Sequence, residues 1–319
     1  MTDPPAVRIR RATISDDDLA TIAALLNTVT PERGADPAAM RWASETYPGG
    51  ARLLAEAPDG RAVGMATVGR IYVYPAEYDG YWAELAVLPE ARRQGLGTGL
   101  LAAVSDIARV AAKSALHIPA SEARPEGVAF LTDRGFRVHE RSKAVRLELG
   151  GRTLEPVKPP RGVTLVTLAE RPDLVPAIHA VATEVLPDIP GEDIAAGDLA
   201  EFRARSVDRP GMPPDGFVIA LDEAGVVLGY ASVLMEPARP GVGYHDLTAV
   251  RRAARGRGIA GALKRATIDW AVGAGLEALE AHNDEDNAAM RAINHRLGYQ
   301  PLPDTLILRG PLFDGIMGS

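Results

Sequence analysis

The chain has 319 residues, 46% hydrophobic and 24% charged, with a net charge near −7: enough apolar content for one large core or two ordinary ones, and no global attraction to nucleic acid. Zero cysteines exclude disulfides, thiolate metal sites and a cysteine nucleophile, and the six histidines form no tight ligand cluster, so no metal is expected. No apolar run approaches the roughly 18 residues of a membrane span, and Met1 leads into Thr2-Asp3-Pro4-Pro5 without a basic start and apolar core. The expectation is a cytoplasmic protein with no membrane partner.

A short strand is expected at 7–10, then a helix capped by Ser15. Asp16, Asp17 and Asp18 suit its positive end, and Leu19, Ile22, Ala23, Leu25 and Leu26 form its apolar stripe. A second helix follows Pro37 through Met40 and Trp42. Strands at 51–56 and 62–69 flank the turn Pro58-Asp59-Gly60. Then come a strand at 81–88, an alanine-rich helix at 98–112, a strand at 114–118, a short helix at 124–133 and a last strand or hairpin partner at 136–147. The second half repeats the order: strand 163–168, helix 174–185, helix 198–206, a hairpin of 217–221 and 226–234, strand 244–250, helix 259–273, strand 276–281, helix 287–297 and strand 306–309. Gly150, Gly151, Pro159 and Pro160 mark an exposed connection, which divides the chain into a domain at 1–150, a linker at 151–161 and a domain at 162–319.

The two halves share unusual punctuation. Arg92-Arg93-Gln94-Gly95-Leu96-Gly97-Thr98-Gly99 recurs as Arg255-Gly256-Arg257-Gly258-Ile259-Ala260-Gly261-Ala262, and Gly135-Phe136 recurs as Gly298-Tyr299. Both landmarks keep one offset, 163 residues, which argues for a duplicated domain. Each loop lies between a strand ending in valine (Val87, Val250) and a helix. Backbone N–H groups at such a helix start have no intrahelical acceptor and attract an anion, with Arg92 or Arg93, and Arg255 or Arg257, adding charge. No Lys-Ser/Thr pair follows the glycines, as a nucleotide triphosphatase requires, and each loop lies past the middle of its half, unlike a dinucleotide fingerprint. The element order gives an α/β (α+β) fold class.

Val87-Leu88-Pro89-Glu90-Ala91-Arg92-Arg93-Gln94-Gly95-Leu96-Gly97 resembles the central motif of the GCN5-related N-acetyltransferase (GNAT) superfamily, and 250–260 resembles it with Arg252 in place of the proline. The closing motif of that family is loosely similar at 130–136. It is closely similar at Asn283, Asn287, Met290, Asn294 and Leu297-Gly298-Tyr299. The resemblance implies two GNAT-like domains, each a mixed, mainly antiparallel twisted sheet flanked by helices. It implies acetyl-coenzyme A or another acyl-coenzyme A as donor, with its pyrophosphate on the loop amides and its pantetheine beside a splayed pair of strands. The donor-binding residues would be Val87, Arg92, Arg93, Gln94, Gly95, Leu96, Gly97, Thr98 and Gly99, and Val250, Arg255, Gly256, Arg257, Gly258, Ile259, Ala260, Gly261 and Asn287. An amine would attack the donor directly, so the absence of cysteine is no obstacle.

An ammonium must lose a proton before it attacks, which calls for a nearby carboxylate or histidine. Glu84 lies where relatives often carry a base, and on a regular strand it shares a face with Trp82 and Ala86; pairing with an arginine is its other available role. The equivalent in the second half is Leu247. There His245 shares the Leu247 face of a regular strand, as a base or as a structural residue, and Asp246 faces the other side. Many relatives protonate the leaving thiolate with a tyrosine. Counting back from the closing glycine places Leu131 and Asn294 at that position. Asn283 and Asn287 are candidates for hydrogen bonds to pantetheine or substrate, or, in the case of Asn283 or Asp284, for a helix cap.

For the acceptor, Tyr72, Tyr74, Tyr78, Tyr81 and Trp82 crowd the segment before the first motif strand, and Glu32, Asp36 and Glu192 lie near early helices that border the acceptor in the resembled family. The expected acceptor is a small-molecule primary amine. The competing expectation is a non-catalytic or half-degenerate coenzyme A-binding sensor. A nucleic-acid partner would have to use Arg251, Arg252, Arg255 and Arg257, charges better suited to a pyrophosphate; monomer and homodimer both stay open.

Overall fold

Ser15 takes its capping position, accepting from the N–H of Asp18, and the stripe from Leu19 to Leu26 is buried as its spacing predicts. The computed structural model describes residues 7–315 except 48, 72, 73, 76, 153–155 and 190–193. Tyr72 and Glu192 therefore lie outside the described residues. In chain order the first half carries β1 (Arg8–Arg11), α1 (Asp16–Val29), α2 (Pro37–Thr46), β2 (Ala51–Glu56), β3 (Ala62–Arg70), β4 (Tyr81–Val87), α3 (Leu96–Val110), β5 (Ala115–Ser121), α4 (Pro125–Thr132) and β6 (Arg137–Glu148). The second carries β7 (Val163–Thr167), α5 (Val175–Val185), α6 (Leu199–Ser206), β8 (Phe217–Asp222), β9 (Val227–Met235), β10 (Val242–Val250), α7 (Ile259–Gly273), β11 (Ala278–Asp284), α8 (Ala288–Leu297), β12 (Gln300–Pro301) and β13 (Thr305–Pro311). No helix among the described residues is long and apolar enough to cross a membrane.

The chain forms two compact units, but their boundary departs from the division read in the sequence. Residues 142–148 of β6 join the second unit, and everything from Asp304 onward joins the first. In the first unit β1, β2, β3 and β4 pair antiparallel in succession, β4 pairs parallel with β5, and β13 pairs antiparallel with β5 along its whole length. In the second, β7, β8, β9 and β10 run antiparallel in succession, β10 pairs parallel with β11, and β6 and β12 complete the sheet. Shifting β6 by the 163-residue offset lands on β12 and β13. Each half thus lends its last strand to the sheet of the other, an exchange that local periodicity cannot reveal because the pattern of a strand does not name its partner.

Each sheet is covered on both faces. In the first unit Leu96, Leu100, Leu101 and Val104 of α3 pack on Ala83, Ala66 and Leu308, while Ile22, Leu25 and Leu26 of α1 pack on Leu54, Met65 and Ala86 of the opposite face. In the second unit α5 covers one face through Ile178, Val181 and Val185, and α7 covers the other through Ile259, Leu263 and Ile268. Burying one such side chain contributes on the order of 1.5–3 kcal/mol.

Candidate active site

Both motif loops fold alike because the same two positions adopt left-handed backbone. These are Arg93 and Gly95 in the first loop (φ 64° and 81°) and Gly256 and Gly258 in the second (77° and 82°). Arginine in this region costs about 1 kcal/mol, whereas glycine enters it freely. The first arginine of each loop is a clip rather than a free charge. Arg92 Nε donates to the Val87 carbonyl at 3.1 Å and Arg255 Nε to the Val250 carbonyl at 3.1 Å, tying the turn to the strand before it. Arg92 also pairs with Glu126, and Arg255 with Asp188. The exposed Arg93 and Arg257 make no ion pair among the described residues, so of the alternatives open in the sequence these two are available to an anion.

α3 and α7 begin at Gly95 and Gly258 without a capping side chain, whereas α1, α2, α6 and α8 are capped by Ser15, Asp36, Asp198 and Asn287. The N–H groups of Leu96, Gly97 and Thr98, and of Ile259, Ala260 and Gly261, are the orphan donors of a helix start. The basic stripe beside the second loop is neutralised: Arg251 pairs with Glu184, and Arg252 and Arg255 both pair with Asp188. The two arginines hold the Asp188 carboxyl down to about 2. Arg252, which stands where the family pattern has proline, donates its backbone N–H to Glu184 at 2.8 Å, a bond proline lacks.

Next to each loop the parallel strands part. β4 pairs with β5 only at Tyr81↔Leu116 and Trp82↔His117, and β10 pairs with β11 from Val242↔Ala278 to His245↔Ala281. The second gap differs from the first through a bulge. β10 skips one residue between His245 and Leu247 in its register with β9, leaving Asp246 as the extra residue. This reverses the alternation, so the expectation that His245 and Leu247 share a face is overturned. Leu247 and Tyr244 pack on the α5 side, while the His245 ring lies 5.9 Å from the ring of Tyr299, which packs with the α7 side. His245 is 5% exposed and neither ring nitrogen has a hydrogen-bond partner. Burial, reinforced by Lys264, pushes it well below the usual imidazole range and keeps it neutral.

Asp246 lies on the bulge with Arg209 at 3.8 Å. Burial raises its carboxyl above the ordinary range, against the opposing pull of Arg209 and Arg205. On the α7 side a polar cluster sits inside the second unit. Lys264 Nζ donates to Asn294 Oδ1 at 2.6 Å, and Asn294 Nδ2 donates to Asn283 Oδ1 at 2.6 Å. Lys264 is 1% exposed and Asn294 2%. Burial lowers the Lys264 amine to about 7, and the Tyr299 ring lies 5.1 Å from it. Asn283 is therefore not a cap; Asn287 caps α8, accepting from the Met290 N–H at 3.1 Å.

The corresponding region of the first unit is apolar. At the 163-residue offset Lys264, Asn283, Asn294 and Tyr299 become Leu101, Ala120, Leu131 and Phe136, all in or packed against its core, and by strand register Ala83 is the first unit's equivalent of His245. Phe130 of α4 covers the first turn of α3, where a β-carbon on Gly97 would stand 3.3 Å from its ring. Arg134 stacks on Phe130 at 3.9 Å and donates to Thr98 Oγ1 at 2.9 Å. Glu84 is 2.9 Å from Arg33 and its side chain 19% exposed. Adjacent Glu32 holds Arg124 through two 2.6 Å hydrogen bonds, and Asp36 is occupied in capping α2. Tyr81 and Trp82 point to opposite faces. Tyr81 packs on the α3 side, while Trp82 lines a cavity of about 450 Å³ with Tyr47, Arg52, Thr67 and Gly69.

Asp246, Lys264, Asn294 and Tyr299 are the residues sequence reasoning did not bring together. Comparing the halves at constant offset carried a signal for Lys264, since a lysine replaces Leu101 on an otherwise apolar helix stripe.

The profile of the "Acetyltransferase (GNAT) family" matches residues 20–136 and again 183–299, displaced by the same 163 residues. A protein named mycothiol acetyltransferase from Salinispora arenicola is 29% identical over 306 residues, 93% of this chain and 95% of that one. Two solved structures share the fold at 20% identity. One is a GCN5-related N-acetyltransferase from Sphaerobacter thermophilus, with a TM-score of 0.74 and 98% of each chain covered. The other is a tandem GNAT protein from the clavulanic acid biosynthesis pathway, with a TM-score of 0.76 and 97% of this chain and 99% of that one covered. The doubled loop, the paired splayed strands and the twofold profile match make this chain a member of the GNAT acetyltransferase family, with the family's domain present in tandem.

Proposed function

We propose that this protein is an acyl-coenzyme A-dependent N-acetyltransferase, acting in the cytoplasm by direct transfer to the primary amine of a small molecule. The observation that carries this is the coincidence, in the second unit, of an uncapped helix start with a parted strand pair whose bulge carries a carboxylate. The residues fit the donor. The amides of Ile259, Ala260 and Gly261 with Arg257 would hold its pyrophosphate, and the gap between β10 and β11 would take its arm. Acyl-coenzyme A supplies the activated acyl group. Asp246, its carboxyl raised by burial, accepts the proton an ammonium must lose, and Arg209 orients that carboxylate.

The half-degenerate alternative has its own support in the first unit. Phe130 covers the loop helix, and Glu84 is tied to Arg33. We therefore assign turnover to the second unit and a retained, donor-silent fold to the first. The name carried by the relatives makes the mycothiol acetyl acceptor the first amine to test. Release of thiol from acetyl-coenzyme A across a panel of primary amines tests the reading, and binding without release supports a sensor. Asp246→Asn is expected to lower turnover ~100-fold and Glu84→Gln less than ~3-fold; the opposite order would move the chemistry to the first unit.

A further inference from the structure

The buried cluster of the second unit is a chain of hydrogen bonds with a direction. An ammonium has donors and no acceptor, whereas an asparagine amide has a donor end and an acceptor end pointing opposite ways. As an ammonium, its form below about pH 7, Lys264 therefore forces Asn294 to turn its Oδ1 inward, which leaves Asn294 Nδ2 facing Asn283. Asn283 must then answer with Oδ1, and its own N–H2 is turned away from the cluster. Asn283 lies two residues beyond Ala281, the last residue of β11 paired with β10, so this N–H2 belongs to the edge of the gap. The opposite edge of β11 at the same position is occupied by Lys143 of β6.

Burying an amine this deeply is costly, and the first unit avoids that cost with Leu101 and Leu131 at the same places. A packing role alone is served there by leucine. The cluster does something leucine cannot: it fixes the polarity of an amide.

We propose that Lys264 and Asn294 are positioning residues which hold the Asn283 amide as a hydrogen-bond donor toward an acceptor oxygen on the pantetheine arm of acyl-coenzyme A. This rests on the reading of the β10–β11 gap as a donor site. Lys264 touches no reacting atom in this arrangement; it acts through Asn294.

The test uses the full chain, titrated with acetyl-coenzyme A by calorimetry, with melting temperature measured in parallel. Asn283→Asp, which puts an acceptor where the donor stood, is expected to weaken binding more than ~10-fold. Lys264→Met is expected to weaken it ~10-fold while the melting temperature holds or rises, and Asn294→Leu to weaken it as much with a lower melting temperature, because it strands the Lys264 amine without its acceptor. Lys264→Met added to Asn283→Asp should cost nothing further, because the relay ends at Asn283. In turnover the loss should appear in KM for acetyl-coenzyme A and leave KM for the amine unchanged. Wild-type affinity in Lys264→Met or Asn294→Leu overturns the proposal, as does full additivity in the double variant. Absence of any binding by the wild type overturns the donor reading instead. Undiminished binding by Gly258→Glu would put the measured site elsewhere and overturn the assignment to the second unit.

Discussion

The two loop–helix junctions have the same backbone and different surroundings. Both use left-handed turns at matching positions, both clip an arginine to a valine carbonyl at 3.1 Å, and both open a helix of the same length. Around the first, Phe130 of α4 and Arg134 just beyond it lean on the helix, and the interior is leucine, alanine and phenylalanine. Around the second, the strand carries a bulge and the interior holds a lysine, two asparagines and a tyrosine. After duplication a fold can keep its loop for structural reasons alone, so the loop by itself is a poor guide to which copy works. Polar groups buried at a cost are a better one, because packing never requires them.

Several changes would break or sharpen this contrast. The largest effect is expected from removing residues 304–319, which strips β13 from β5 and takes away Leu308 and Leu306, both deep in the first core. Losing those two side chains alone is worth about 3–6 kcal/mol, so the first unit should lose its cooperative melting transition. A preserved transition would mean that the exchanged strand is dispensable.

Next in size is a matched pair at the loops. Gly258→Glu forces a left-handed turn to carry a side chain and a negative charge beside the helix start, and should reduce coenzyme A binding ~100-fold or more. Gly97→Glu, on a first turn already covered by Phe130, should leave the number of binding sites unchanged in a titration. Equal losses from the two variants would make the units equivalent donors.

The smallest effect at any one step, at most about 1.4 kcal/mol per pH unit, is a pH dependence of stability. Burial takes Lys264 from 10.5 in the open chain down to about 7 in the fold. Between those values the unfolded chain binds the extra proton, so stability rises with pH from about 7 to 10.5; below about 7 both states are protonated and the full cost of the buried charge is present. Lys264→Met removes that slope, a difference on the order of a few kcal/mol. Melting curves of the two proteins should therefore converge as pH is raised from 7 to 10, and a constant gap would argue against a protonated amine in the core.

Much of the fold was legible because its signals are local. Ser15 before a run of acids, the Leu19–Leu26 stripe and glycines after a valine-ended strand each act within a few residues, and they folded where the sequence put them. The candidate site was legible only in part. Treating β10 as regular put His245 beside Leu247, and one extra residue moved it to the opposite face. Asn283 read equally well as a cap or a ligand until Asn294 claimed its oxygen.

By itself the sequence determined the duplication, the order of elements and the two glycine-rich turns that open α3 and α7, because backbone conformation and helix periodicity depend on nearest neighbours. Three things were decided only by tertiary structure: which sheet each final strand joins, where β10 bulges, and what surrounds Lys264. Strand pairing and burial join residues far apart in the chain, as Lys264 and Asn294 are, and a lysine in a helix carries no mark of whether its end meets water or an amide.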